Sequence, residues 1–273
     1  MSTYFGDQVA VATGALSVIY ITRDAGCLLR ASLDSVVPLG AEIFLVDSGS
    51  TDDTLTIATE MGVKIIQRPW PGFGAQRQFA VESAANDWIL MLDADEILRD
   101  QACAAILDVV RSSDPHVAYA LRRYNYLHGK AIRHGDWSRD YVVRLFNRRY
   151  GHYRPEDMVH ESWHGQGETR RMPGYILDHH SFPSYADMLD KLRLYATLNA
   201  QQVHQRGKVL RGYMPMTHAL AAFWRGYFWR LGFLDGVEGA AIAWTTALGA
   251  FMKYAIALEL RDCDRQSPKM PLH

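Results

Sequence analysis

Four short, almost uncharged apolar runs punctuate roughly the first hundred residues, and the ends of two lead straight into aspartates. They are 15–22 (ALSVIYIT), 42–46 (EIFLV), 63–67 (VKIIQ) and 88–92 (WILML). Between them lie stretches of helical character at 27–37, 53–61 (closed by Gly62) and about 75–85. Strands alternating with helices at this spacing predict βαβ units and a parallel sheet. Strands buried on both faces read as continuous apolar runs rather than as alternating ones, and these do.

From Ala118 to Arg171 the pattern turns mixed and rich in Arg, His, Trp and Tyr, and beyond His180 it is helical. At 273 residues the chain has room for one α/β domain and a helical appendage. The formal net charge of −1 gives no whole-chain reason to expect a nucleic-acid partner, and none is expected. Three widely spaced cysteines, Cys27, Cys103 and Cys263, form neither a disulfide framework nor a zinc pattern, so reduced thiols in the cytoplasm are expected. Residues 1–13 lack a basic start and a long apolar run, which argues against a secretory signal. The charge-free run 239–252 falls short of the roughly 20 residues that cross a bilayer, so a spanning helix is not expected there.

Ligands of open α/β sheets bind beyond the carboxyl ends of the strands. Acidic groups fall at such ends here: Asp24, Asp47 and the cluster Asp93-Ala94-Asp95-Glu96. A carboxylate only accepts hydrogen bonds, so Asp47 suits a base edge that offers an N–H, as uracil and guanine do. The alternative is that 47–51 simply forms a turn and caps the next helix. The pair Asp93 and Asp95 on one strand exit can hold a hard divalent cation, leaving positions for phosphate oxygens.

The series ALSVIYITRDAG, EIFLVDSGSTDDT, GFGAQRQFA and DWILMLDADE resembles the family 2 inverting glycosyltransferases of GT-A fold. The likeness is close over 15–100 and looser through RLFNR (144–148), VHES (159–162) and HHSF (179–182). Within that family it is most similar to lipopolysaccharide core β-1,4-glucosyltransferases of the WaaE/KdtX type, whose tails resemble GFLDGVEGAAIAW and FMKYA. The resemblance implies a Rossmann-like, mostly parallel sheet flanked by helices, followed by an amphipathic helical segment. It divides the chain into a flexible 1–13, a catalytic domain at 14–182 and a membrane-associating segment at 183–273.

The resemblance also assigns roles. Thr22 and Asp24 would line the nucleotide pocket, Asp47 would hold the base and Arg77 would approach the diphosphate. Asp93 and Asp95 form a D-x-D motif, in which Asp93 would bind the nucleotide sugar; Asp95 and His179 (or its neighbour His180) would hold Mg²⁺ or Mn²⁺. Glu161 would be the general base. Gln78 departs from the Asn that many relatives carry. The implied donor is a nucleotide diphosphate sugar, UDP in preference to GDP, with glucose as the sugar. The implied acceptor is a glycolipid or lipopolysaccharide core, met on the cytoplasmic face of the inner membrane.

An inverting transfer is one in-line displacement, needing a stabilised leaving group on one face and a base on the other. A Glu with its ordinary pKa of about 4.3 is already a base at neutral pH. Cations between Arg122 and Arg171, interleaved with Tyr124, Tyr126, Trp137 and Tyr141, would suit a phosphorylated acceptor. Leu220, Phe223, Trp224, Tyr227, Phe228 and Leu231 make an apolar stripe with Arg225 and Arg230 off it, the composition of an interfacial helix or of a packed one. A break at Leu234-Asp235-Gly236 is expected, with Asp235 capping a second helix over about 237–260. In that helix Ile242, Trp244, Leu248 and Phe251 would pair with the first.

Other readings fit less well. Gly72-Phe73-Gly74 begins like a dinucleotide fingerprint, but Arg77 takes the last glycine position and Pro69-Trp70-Pro71 precedes it in place of a strand. A glycoside hydrolase could use two of the carboxylates but has no need of a base contact at Asp47. A non-catalytic, membrane-associated nucleotide- or glycan-binding protein on the same scaffold would have no use for Asp95 and Glu161 together.

Overall fold

The computed structural model describes residues 16–156, 162–174, 176–207 and 209–266. The first elements alternate as the apolar runs predict: β1 (Leu16–Thr22), α1 (Gly26–Val36), β2 (Glu42–Asp47), α2 (Thr54–Glu60), β3 (Lys64–Gln67), α3 (Phe73–Glu82) and β4 (Trp88–Leu92). Next come β5 (Glu96–Leu98), α4 (Ala102–Ser112), β6 (Ala118–Leu127), β7 (Lys130–Ala131) and β8 (Asp140–Asn147). Then follow β9 (Gly151–His152), β10 (His164–Gly165), β11 (Thr169–Arg171) and β12 (Leu177–Phe182). Three helices complete the chain: α5 (Tyr185–Gln205), α6 (Met214–Phe223) and α7 (Val237–Gln266).

The chain forms two compact units, one of residues 1–123 with 141–179, the other of 124–140 with 180–273. The main sheet runs β3-β2-β1-β4-β8-β6-β12-β5, with β7 and β11 also paired to β6; β9 and β10 form a separate pair. β1 lies parallel to both β2 and β4, and β2 is parallel to β3. β8 is antiparallel to β4, and β12 to β5. The sheet is therefore mostly parallel on one side, Rossmann-like, and helix-flanked.

Side chains alternate faces along a strand, and here both faces are covered. Val18, Tyr20, Leu45, Leu90 and Leu92 are buried in one cluster with Leu29 and Leu33 of α1 and Ile106 of α4. Their neighbours Ile19, Phe44, Val46, Ile89 and Met91 are buried in a second, with Ala80 and Val81 of α3. This two-sided burial is why the runs carry so little charge. β2 and β3 add to one side of β1 and β4 to the other, so the strand order reverses at β1. Open α/β sheets bind ligands at such a reversal, beyond the strands' carboxyl ends.

In the second unit, α6 ends at Phe223 and the backbone widens into a π-helical turn, Trp224–Trp229. A 3-10 turn, Gly232–Asp235, follows Leu231 at φ 59°. The break before α7 is where the sequence predicts it, but Asp235 has another task. Its carboxylate accepts from the backbone N–H groups of Arg133 and His134 at 3.1 and 2.7 Å, and pairs with His134 Nδ1 at 3.0 Å. Of the residues expected to join the two helices, Trp244 meets the Phe223 ring at 4.5 Å between centroids. Ile242 is buried instead with Leu127, Ile132 and Met188. α7 also contains a stretch, Val237–Asp264, that is long and apolar enough to cross a membrane by length and composition. The charge-free core is shorter, as expected, but the average tolerates the charges around it.

Glycines let the break fold tightly. A Cβ on Gly239 would sit 1.8 Å from the carbonyl oxygen of Gly232, and one on Gly232 would sit 2.7 Å from that of Gly226. Gly239→Ala is accordingly expected to lower stability by about 1–3 kcal/mol through overpacking. Gly212→Ala, whose Cβ would meet nothing within 4 Å, should shift it by no more than ~0.5 kcal/mol. Urea unfolding of both variants checks this, and equal stabilities would contradict the packing.

Candidate active site

The register aligns the strand ends. Thr22 pairs with Asp47 across β1 and β2, and Tyr20 pairs with Leu92, the residue before Asp93, across β1 and β4. Thr22, Asp24, Asp47 and the D-x-D turn therefore share one edge of the sheet.

Asp47 is fully buried. Its Oδ1 accepts from Thr22 Oγ1 at 3.1 Å and from Ser50 Oγ, and its Oδ2 accepts from the N–H groups of Gly49 and Ser50 at 2.8 and 2.9 Å. A carboxylate offers about four lone-pair sites, so these contacts occupy them. Gly49, at φ 88°, supplies the left-handed residue that lets the turn close. Asp47 thus does what the turn-forming alternative described, and a base N–H would have to displace one of its partners. Beside it, Ser48 Oγ accepts from Gln76 Nε2 at 3.0 Å. Gln76 is fully buried on α3, and sequence reasoning passed over it.

Asp24 has φ 50°, an uncommon conformation outside glycine. Its N–H donates to Ser50 Oγ at 2.9 Å, and its carboxylate accepts from Thr51 N–H at 2.7 Å and Thr51 Oγ1 at 3.2 Å. Asp52 reaches the other way, accepting from Gly26 N–H at 2.8 Å. The loops after β1 and β2 are stitched together by these bonds.

The D-x-D motif is a tight turn in which the Glu96 N–H donates to the Asp93 carbonyl at 3.0 Å. Glu96, fully buried, accepts the Asp93 N–H at Oε2, also at 3.0 Å. Its Oε1 accepts from Arg144 at 2.7 Å and from Arg123 at 3.2 Å. Asp93 pairs with Arg77 at 2.8 Å through Oδ1 and with Arg144 through Oδ2. Burial alone would raise the Asp93 carboxyl, but Arg144, then Arg77 and Arg123, outweigh it and hold it well below the usual carboxylate range. Burial would likewise depress Arg144; Asp93 and Glu96 raise it instead.

Asp95 Oδ2 lies 3.7 Å from His179 Nε2. Strand pairing explains their meeting: His179 on β12 sits opposite Glu96 on β5, one residue from Asp95. His180, the sequence alternative, stacks instead on Tyr126 with centroids 4.5 Å apart. Glu161 lies outside the described residues. Gln78 Oε1 accepts the Tyr153 N–H at 2.8 Å.

Several cations of the basic stretch are ion-paired, two of them with a buried partner. Arg123 and Arg144 serve Glu96, Arg148 and Arg149 pair with Asp87, and Lys130 pairs with Glu238. Arg123 and Arg144 are thereby committed to Glu96, while Arg149 and Lys130 keep much of their side chains exposed. Nothing in their sequence pattern separates a buried arginine from a solvated one.

Asp47→Ala leaves several buried donors without an acceptor, each worth about 1–3 kcal/mol. Loss of at least ~2 kcal/mol in urea unfolding is expected, with Asp47→Asn losing less because it keeps one acceptor oxygen. A loss near zero for Asp47→Ala would show that the turn does not need the carboxylate.

The profile of Glycosyl transferase family 2 matches residues 17–172, more than half of the chain. LpsC of Rhizobium meliloti, a lipopolysaccharide core biosynthesis glycosyltransferase, is 30% identical over 229 residues, covering 79% of this chain and 84% of that protein. An uncharacterised glycosyltransferase of Rickettsia prowazekii is 26% identical over 264 residues, covering 92% and 88%. Among solved structures, glucosyl-3-phosphoglycerate synthase from Mycobacterium tuberculosis, in complex with Mn²⁺, UDP and glucosyl-3-phosphoglycerate, matches with a TM-score of 0.36 at 20% identity, over 41% of this chain and 44% of that one. With its strand order, its D-x-D turn and this family match, the chain belongs to the family 2 glycosyltransferases and carries their GT-A fold.

Proposed function

We propose that the chain is an inverting hexosyltransferase that moves glucose from UDP-glucose to a lipid-linked or lipopolysaccharide core acceptor, as enzymes of the WaaE/KdtX type do. The observation that carries this reading is the D-x-D turn with Asp95 beside His179, on the strand-end edge that also holds Thr22 and Asp24. A carboxylate oxygen and an imidazole nitrogen are a donor pair suited to Mn²⁺ and acceptable to Mg²⁺. Among the described residues no group of three or more metal-binding side chains exists. A cation held by Asp95 and His179 would have its remaining positions open to diphosphate oxygens and water. When bound, such a cation neutralises charge that develops on the departing diphosphate.

The protein's own groups divide the rest of the work. The Asp47 turn and Gln76 shape the base end of the cleft, with Thr22 and Asp24 on its wall. Arg77, paired with Asp93, would offer a diphosphate a charge-assisted donor. Glu161 would take the acceptor's proton as the hydroxyl attacks the anomeric carbon. The likeness to LpsC supports a lipopolysaccharide core acceptor.

Such an acceptor is amphiphilic, and the second unit displays an apolar surface to match. Trp229 is 80% exposed, Val237 70%, Trp244 64%, and Leu220 and Trp224 62% each, with Phe228, Leu231, Phe233 and Leu234 also exposed. Contiguous apolar exposure of this kind marks an interaction surface, and tryptophan with leucine and arginine suits a lipid interface. The unit would lie on the inner face of the cytoplasmic membrane.

Asp95→Ala should abolish transfer and remove metal-dependent UDP binding, while Glu161→Gln should keep that binding and lose transfer by ~10²-fold or more. Radiolabelled transfer with calorimetry separates the two; full activity in either variant would reassign its role. In flotation with phosphatidylglycerol vesicles, the wild-type chain should rise with the lipid and Trp224→Ser/Trp229→Ser should remain below. Equal flotation would place the membrane contact elsewhere.

A further inference from the structure

The D-x-D turn is held by two residues that face neither solvent nor any surface. Glu96 has no exposed area and Arg144 only 3%. Burying an ion pair is costly, and apolar replacements are often as stable, so stability alone does not account for a charged lattice here. Its geometry suggests another purpose. Glu96 binds the turn twice through Asp93, by main chain and by side chain, each at 3.0 Å. One nitrogen of Arg144 (Nη2) then joins the Glu96 carboxylate to that of Asp93. Arg77, from α3, takes the other Asp93 oxygen at 2.8 Å. The Asp93 side chain is thereby held from both α3 and β8 and cannot turn without breaking an ion pair.

We propose that Glu96 and Arg144 are positioning residues for donor binding: they fix Asp93 and the turn so that Asp95 is presented toward His179. The two aspartates of the motif then have different duties. Asp93 is the anchor, committed to guanidinium groups; Asp95 is the presented ligand. The lattice also holds three guanidinium groups, those of Arg77, Arg123 and Arg144, against the two carboxylates of Asp93 and Glu96. With Asp95 of the same turn the formal charges balance, three against three, so the arginines offset the crowding of carboxylates. This inference depends on the donor reading above, since it concerns how the site is held for a nucleoside diphosphate and its cation.

The test is calorimetric titration of UDP with Mn²⁺ into the whole chain, paired with thermal unfolding of each variant. Outer residues that orient ligands typically change affinity by about 10- to 100-fold. Glu96→Gln and Arg144→Met should therefore bind Mn²⁺–UDP at least ~10-fold more weakly per folded molecule. Arg144→Lys should fall between wild type and Arg144→Met, because one ammonium keeps the charge but not the arginine's fork. A purely structural role would lower the melting temperature of every variant and leave the affinity of the folded protein unchanged, and that result would overturn the proposal. Should Arg144→Met and Glu96→Gln fail to fold, Arg144→Lys decides: wild-type affinity there would equally overturn it. If the wild-type chain binds no Mn²⁺–UDP, the donor reading fails and this inference falls with it. Normal wild-type binding with unaltered variants would sink the positioning role alone.

Discussion

Parallel pairing of β1 with β2 on one side and β4 on the other is the constraint from which the site follows. Parallel neighbours point their carboxyl ends the same way, so whatever follows each strand is delivered to one edge. Thr22 level with Asp47, and Tyr20 level with Leu92, are consequences of that register. Slipping one strand by a single residue would turn its side chains to the opposite face and misplace its terminal carboxylate. Both faces of β1, β2 and β4 are buried, which is why the register is strongly specified.

Charges at this edge are handled in two ways. At the Asp47 turn a buried carboxylate is satisfied by neutral donors, Thr22 Oγ1, Ser50 Oγ and two backbone N–H groups. At the D-x-D turn the carboxylates are met by guanidinium groups from three elements, Arg77 on α3, Arg123 on β6 and Arg144 on β8. The first arrangement uses no countercharge and closes the turn after β2. The second gathers three guanidinium groups around the D-x-D turn. The second unit uses charge differently: Asp136 pairs with Arg225 and Arg230, and Asp235 engages the 133–134 backbone. These polar clips hold the break between α6 and α7, leaving the tryptophans around it outward.

The sheet was legible because continuous apolar runs have few other readings. β4 begins and ends where its run does, and β1 and β2 differ from theirs by one residue. α4, Ala102–Ser112, is not among the helical stretches that the apolar runs mark off, and a missing side-chain N-cap does not set it apart from α1, α2 and α3. Carboxylate positions at strand ends were visible, but not how each is spent. Asp47 reads as a ligand contact or as a turn former, and only the φ of 88° at Gly49 brings the Gly49 and Ser50 N–H groups onto it. Glu96 and Arg144 look in sequence like ordinary surface charges; their burial is set by β5 and β8, strands far apart in the chain. The local pattern at Asp235 is that of a helix cap, while its partners Arg133 and His134 lie about a hundred residues earlier. Long-range partners of polar groups are what local patterns do not contain.

The most direct test of a single donor cleft at the carboxyl ends of β1, β2 and β4 is amide hydrogen exchange with and without UDP and Mn²⁺. The account predicts new protection concentrated in peptides covering 22–26, 47–51, 93–96 and 177–182, appearing together as ligand is added. Protection confined to other segments, or present at 47–51 without 93–96, would contradict it.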